Sequence, residues 1–194
     1  GAGNMAEAIA RGVIKAALFQ PAEIIAADPS APRRDLFAGD LGTAVSADPA
    51  DVAGACRTVI LAVKPQKLTD ALAPIAGALT DETLLVSILA GKSIDAIVAA
   101  SGGRARRVVR VMPNTPMLVG AGMTAIAPGP GATAEDTALV ERLFAAAGRT
   151  VLVDESKMDA VTAVSGSGPA YFFYVVEALT RAAVKAGLSE PVAD

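Results

Sequence analysis

The sequence predicts an α/β protein: a doubly wound, parallel sheet followed by the start of an all-helical segment. Three observations predict it. Short β-branched or apolar runs alternate with helix-length amphipathic segments through residues 1–153. Several runs, Thr58–Val63 and Thr83–Leu89 among them, are apolar almost throughout, as strands covered on both faces must be. From Lys157 to Gly187 the alternation stops and one or two long helices take over, with Tyr171–Val176 the only stretch of strand character there.

In chain order, Gly1-Ala2-Gly3-Asn4-Met5-Ala6 opens a helix over Asn4–Leu18. A strand is expected just before Gly1, and without a starting Met the chain is expected to begin inside a longer protein. Glu23–Asp28 reads as a strand, Ala31–Ala38 as a helix, Thr43–Ser46 as a strand and Pro49–Ala55 as a helix. Strand Thr58–Val63 stops at Lys64-Pro65, because a proline disfavours helical backbone in the residue before it. Helix Lys67–Ala78, strand Thr83–Leu89 and helix Ser93–Ala100 follow, with Gly91 and Gly102-Gly103 as breakers. Strands Arg107–Met112 and Met123–Ala127 flank Pro113. Pro128–Thr133 reads as a surface turn, Ala134–Ala147 as a helix and Thr150–Val153 as the last strand. Beyond it lie a helix over Lys157–Val164 and the long helical stretch. Gly187-Leu188-Ser189-Glu190-Pro191 then resembles a helix end followed by the cap of another helix. The division expected is 1–153 for a dinucleotide-binding domain and 154–194 for the beginning of a helical one.

Composition narrows the chemistry. Of 194 residues, 53% are hydrophobic and 4% aromatic, so Ala, Val, Leu and Ile must carry the core. A net charge of −3 argues against nucleic acid or an anionic membrane as the general partner, and no apolar run is long enough to cross a bilayer. The one cysteine, Cys56, allows no disulfide within the chain and fits a cytoplasmic location. With no histidine, a His/Cys zinc site and any histidine acid or base are excluded within these residues.

The opening loop fits G-x-G-x-x-G/A. The first glycine allows a tight turn, the second lets a pyrophosphate approach the backbone, and the small Ala6 lets the helix pack close to the sheet. A glycine turn without a ligand is the plain alternative. Asp28 lies roughly 20 residues on, where an acid grips the ribose hydroxyls of NAD; Arg33 and Arg34 could instead hold the extra phosphate of NADP. A merely solvated Asp28-Pro29-Ser30 turn is the alternative there. Three further strand ends carry constrained turns: Ala62-Val63-Lys64-Pro65-Gln66, Ser87-Ile88-Leu89-Ala90-Gly91 and Val111-Met112-Pro113-Asn114-Thr115-Pro116. Asn114, between two prolines, has donors and an acceptor for a carboxamide or substrate group. Ser165-Gly166-Ser167-Gly168-Pro169 reads as another helix start with free N–H groups for an anion, with an ordinary tight entry into a helix as the plain alternative.

Together with Ala62-Val63-Lys64-Pro65 and Met112-Pro113-Asn114-Thr115-Pro116, the opening loop and above all Asp159-Ala160-Val161-Thr162-Ala163-Val164-Ser165-Gly166-Ser167-Gly168-Pro169-Ala170-Tyr171 resemble the pyrroline-5-carboxylate reductase family. The order and spacing match along essentially the whole chain. The resemblance implies a Rossmann domain, a C-terminal helical domain that forms a homodimer or a larger ring of dimers, and the last step of proline biosynthesis in the cytoplasm. By similarity the cofactor, NADPH or NADH, would touch Gly1, Ala2, Gly3, Asn4, Met5, Asp28, Asp48, Ala62, Val63, Lys64, Pro65, Ile88, Leu89 and Ala90, while Glu155 matches a position near the substrate. The family commonly has Ser or Asn where Asp28 stands and often Asn at Asp48, so the choice between the two cofactors stays open. Its Ser/Thr- and Gly-rich substrate loop is expected beyond residue 194. The implied reaction is hydride transfer to the C=N carbon of 1-pyrroline-5-carboxylate, with no catalytic acid assigned here. Two rivals stand beside it. A β-hydroxyacid dehydrogenase would use Lys157, but would call for Asn where Val153 stands. A non-catalytic nucleotide-binding regulatory module would bind without turnover.

Overall fold

The structure, a computed structural model, describes residues 1–194. Seven strands form two sheets. β1 (Ile25–Ala27) and β2 (Ala44–Ser46) pair in parallel. β3 (Thr58–Leu61), β4 (Leu84–Ser87), β5 (Arg107–Met112), β6 (Gly122–Pro128) and β7 (Gly148–Leu152) lie side by side in that order. The segment Gly1–Ala2 touches the carboxyl ends of both β1 and β3, at Asp28 and Ala62.

Helices cover both faces of the larger sheet, as the apolar strand runs require. On one face, α1 (Asn4–Lys15) and α6 (Ala134–Ala145) bury Ile9, Val13, Val140 and Phe144 against Leu84, Val86, Val109, Val111 and Ile126. On the other, α4 (Leu68–Leu72) and α5 (Ile94–Ala100) bury Leu68, Leu72 and Ile97 against Val59, Leu61, Leu85 and Val108. Val108 and Val109 go to opposite cores because successive strand side chains alternate. Leu72, Leu85, Ile97 and Phe144 are fully enclosed, each contributing about 1.5–3 kcal/mol relative to exposure. α2 (Ala31–Leu41) and α3 (Pro49–Ala55) complete the layer around the small sheet.

The structure departs from the sequence expectation in four places. β6 runs antiparallel to β5, with Met112 opposite Ala125. The link 113–121 holds only a 3₁₀ turn, Thr115–Val119, and a parallel crossover needs a dozen or more residues. β7 then returns parallel to β6 through α6. The helix expected over Lys67–Ala78 divides into α4 and a 3₁₀ stretch, Ala73–Ala78, because Pro74 has no N–H to continue the α ladder. Tyr171–Val176 is helix, inside α8 (Gly168–Lys185). The helix expected over Lys157–Val164 is α7 (Met158–Val161) followed by a π turn, Thr162–Gly166. A last short helix, α9 (Glu190–Ala193), follows the cap residue Ser189.

Two local devices hold the far half of the sheet. Gly148 passes so close to β6 that a Cβ there would collide with the Gly122 carbonyl. Asp136, 3% exposed, accepts both Arg107 Nε at 2.8 Å and Arg107 Nη2, and caps α6 through the Thr133 N–H at 2.9 Å. It thereby ties the start of β5 to the start of α6.

Candidate active site

The two outer glycines of the opening loop do different things. A Cβ on Gly1 would sit 2.5 Å from the Ala62 carbonyl oxygen, so the loop packs directly on the end of β3. A Cβ on Gly3 would meet nothing within 4 Å. The loop is therefore closed toward the sheet and open outward. Gly3 caps α1 through backbone alone, with no side chain on the helix's first N–H groups. A helix start of this kind carries roughly half a positive charge, so an anionic group over Gly3 would find N–H donors and a favourable field.

Ala2, fully buried, is braced from the turn after β1. Its N–H donates to Asp28 Oδ2 at 2.8 Å, and its carbonyl accepts from Arg33 Nε at 2.6 Å. Arg33 Nη2 reaches Glu7 Oε2 at 2.8 Å, and Arg11 Nε reaches Glu7 Oε1 at 2.9 Å. Burial resists the Glu7 charge, but the hydrogen bonds from Arg33 and Arg11 outweigh it and hold the carboxyl below its ordinary range. Arg34 Nη1 donates to the carbonyls of Asp28 and Pro29 at 2.7 and 2.9 Å. The residues present thus fit a dinucleotide: an open glycine surface at a helix start, with a carboxylate fixed beside it.

The neighbouring strand ends join this mouth. Ile88 N–H donates to Leu61 O at 3.2 Å, so the turns after β3 and β4 lie together. Lys64 is exposed on extended backbone, φ −66° and ψ 142°, with Pro65 starting a 3₁₀ turn. Ala62, Val63, Pro65, Ile88 and Ala90 are half-buried. Leu89 is 2% exposed with its side chain in the second core, so only its backbone can face a ligand. Asn4 is exposed and Met5 half-buried at the helix start. Asp48 lies after β2, where its Oδ1 caps α3 at Ala50 N–H, 2.8 Å, and it bonds none of the loop residues.

Asn114 and Glu155 brace the protein from within. Asn114 Oδ1 accepts the Met123 N–H at 2.9 Å and its Nδ2 donates to Ser165 O at 3.2 Å. The helical donor for that carbonyl would be residue 169, a proline, and the carboxamide takes its place. Glu155 Oε1 accepts the Ile94 N–H at 2.7 Å and meets Arg110 Nη1 at 3.3 Å. The helical tail is thereby fastened to the start of α5, directly after the β4 turn. Arg110 lies outside the residues the sequence singles out; its one signal is a charge inside the apolar run Arg107–Met112.

The expected free helix start at Ser165–Pro169 is corrected. Ser167 N–H already donates to Thr162 O at 2.9 Å, closing a π turn, and the backbone runs through it into α8. Met158 seats α7 on Ala125 and Ala127 of β6, and Met112 lies under Gly166. α8 itself presents Phe172, Phe173, Tyr174 and Leu179, each more than 60% exposed. No helix is long and apolar enough to cross a membrane.

Comparison with known proteins agrees with this layout. Residues 155–194 match the family model described as pyrroline-5-carboxylate reductase dimerisation, and residues 1–91 match NADP oxidoreductase, coenzyme F420-dependent. A pyrroline-5-carboxylate reductase of Synechocystis is 43% identical over 193 residues, covering 100% of this chain and 71% of its own length. That of Arabidopsis thaliana is 42% identical over 194 residues, covering 100% and 69%. Among solved structures, the reductase of Coxiella burnetii superposes with a TM-score of 0.88 at 34% identity, covering 100% and 72%. That of Plasmodium falciparum, with NADP bound, gives 0.88 at 30%, covering 100% and 70%.

Proposed function

The chain belongs to the pyrroline-5-carboxylate reductase family, and from that membership we infer an NAD(P)H-dependent enzyme that reduces 1-pyrroline-5-carboxylate to L-proline, the last step of proline biosynthesis. The observation that carries the reading is the meeting of Gly1 with Ala62 and of Ala2 with Asp28 at one mouth, beside an open helix start. The hydroxy-acid alternative is not favoured: Val153 holds the position where it would call for Asn.

In this reading the first N–H groups of α1 hold the pyrophosphate over Gly3, and Asp28 faces the adenosine ribose. Ala62, Val63, Lys64 and Pro65, with the backbone of Ile88, Leu89 and Ala90, line the slot for the reacting ring. Asp48 approaches the adenosine end from β2. Asn114 acts by setting Ser165 and the π turn at the slot's inner wall. Glu155 anchors the tail through Oε1, leaving Oε2 for the substrate side. When bound, the nicotinamide supplies the hydride, and holding both reactants in contact accounts for several kcal/mol of barrier reduction. Without a histidine, no residue of 1–194 is assigned as proton donor.

The division at 153/154 is supported by the end of β7 at Leu152 and the helices that follow. The dimerisation match and the exposed aromatic face of α8 support a homo-oligomer, which we read as a dimer or a ring of dimers. A cytoplasmic site fits the single thiol and the supply of reduced nicotinamide. The test is a steady-state assay of the full-length protein with pyrroline-5-carboxylate, following nicotinamide absorbance. Oxidation of neither NADH nor NADPH would refute the assignment.

A further inference from the structure

We propose that Asp28 decides between the two nicotinamide dinucleotides and turns this site toward NADH. The proposal rests on the dinucleotide reading above. Asp28 ends β1 with its carboxylate pinned at both oxygens: Oδ2 by the Ala2 N–H at 2.8 Å, Oδ1 by the Ser30 N–H at 2.9 Å. It cannot swing away from the mouth without breaking the bond that braces the glycine loop. Each oxygen keeps a second lone pair, so the carboxylate can still accept from a ribose diol. A 2′-phosphate in that place would bring two negative groups together.

The two arginines do not cancel this equally. Arg33 is committed, with Nε on the Ala2 carbonyl and Nη2 on Glu7. Its charge is already answered by a carboxylate, and withdrawing it would loosen the loop. Arg34 has no carboxylate partner, and its Nη1 is held on the carbonyls of Asp28 and Pro29. Its remaining donors are the only unpaired cationic group at the turn. Arg34 therefore gives NADPH residual tolerance, while Asp28 sets the order of preference.

Binding of 5′-ADP and 2′,5′-ADP to the full-length protein separates the two effects without turnover, by calorimetry. The wild type is expected to bind 5′-ADP more tightly by about tenfold or more, as like charges placed face to face require. Asp28→Asn keeps an acceptor for Ala2 and should shrink or invert that ratio; Asp28→Ser should do the same. Arg34→Ala removes the hold on the Asp28 and Pro29 carbonyls as well as the charge, so it should weaken both ligands but 2′,5′-ADP several-fold more than 5′-ADP. The NADH/NADPH ratio of kcat/KM should follow the binding ratio. Equal or tighter wild-type binding of 2′,5′-ADP, or a ratio unmoved by both Asp28 variants, overturns the proposal alone. Binding of neither ligand to a folded protein would remove the dinucleotide reading and the proposal together.

Discussion

Replacing Glu155 by alanine takes one acceptor away from two donors. The Ile94 N–H loses a 2.7 Å bond and Arg110 loses its nearer carboxylate, at 3.3 Å. A hydrogen bond to a charged group is worth about 1.5–3 kcal/mol. The Arg110 contact is long and the Glu155 side chain 32% exposed, so the ion pair adds about 1 kcal/mol at most. Arg110, with 7% of its side chain exposed, would keep only Asp159 at 3.5 Å, and that carboxylate is 91% exposed. The expected loss is about 3 kcal/mol. Glu155→Gln retains an acceptor for Ile94 and should recover roughly half. Urea unfolding of the full-length protein at fixed concentration measures both, since assembly makes stability concentration-dependent. An alanine variant within about 0.5 kcal/mol of wild type, or a glutamine variant no better than alanine, would refute the bracing role.

Hydrogen bonding by Arg107 holds the Asp136 carboxyl below its ordinary range. A depressed native pKa means a stabilisation complete above the unfolded value of about 3.9 and lost as the pH falls through the native value. Asp136→Asn should therefore cost about 2–3 kcal/mol at neutral pH, and its gap from wild type should close in strong acid; unfolding curves giving a constant gap would contradict this. A Cβ on Gly3 would meet no protein atom within 4 Å, so Gly3→Ala should change thermal melting little while dinucleotide affinity drops by about tenfold or more; unchanged affinity in a titration would argue against the phosphate site. Phe172→Glu places a charge on the exposed apolar face of α8 and should shift the full-length protein toward monomer in sedimentation; an unaltered assembly would mean that face is not the contact.

Alternation and apolar runs located every strand; burial on both faces leaves the plainest signal at β4, whose four residues are all buried, whereas the exposed β7 showed only through its β-branched residues and with its ends shifted. Arg107–Met112 was bounded correctly to the residue. The direction of β6 was not legible, since it depends on the length and shape of the link 113–121 rather than on the strand's own residues. Gly1 and Gly3 announced their division of labour, a tight turn and an open approach, but not that Gly1 would pack on the Ala62 carbonyl at the end of β3. Asn114 stands out between two prolines at a strand end and Glu155 only through the family resemblance, yet their hydrogen bonds span 51 and 61 positions of sequence. No local pattern encodes such partners. Arg110 was visible as a charge in an apolar run, and only its carboxylate on the following helical tail explains how it is tolerated.

The π turn at Thr162–Gly166 fixes an angle as well as a path. A segment closed by the Thr162–Ser167 bond carries one residue more than α geometry would need. One residue corresponds to about 100° of rotation about a helix axis. Deleting any one of those five residues would leave α8 of the same length but dial Phe172, Phe173 and Tyr174 about a quarter turn around it. The azimuth at which α8 presents its exposed aromatic side chains is thus written in a single surplus residue, in a segment held by Asn114 at Ser165 and followed by Pro169.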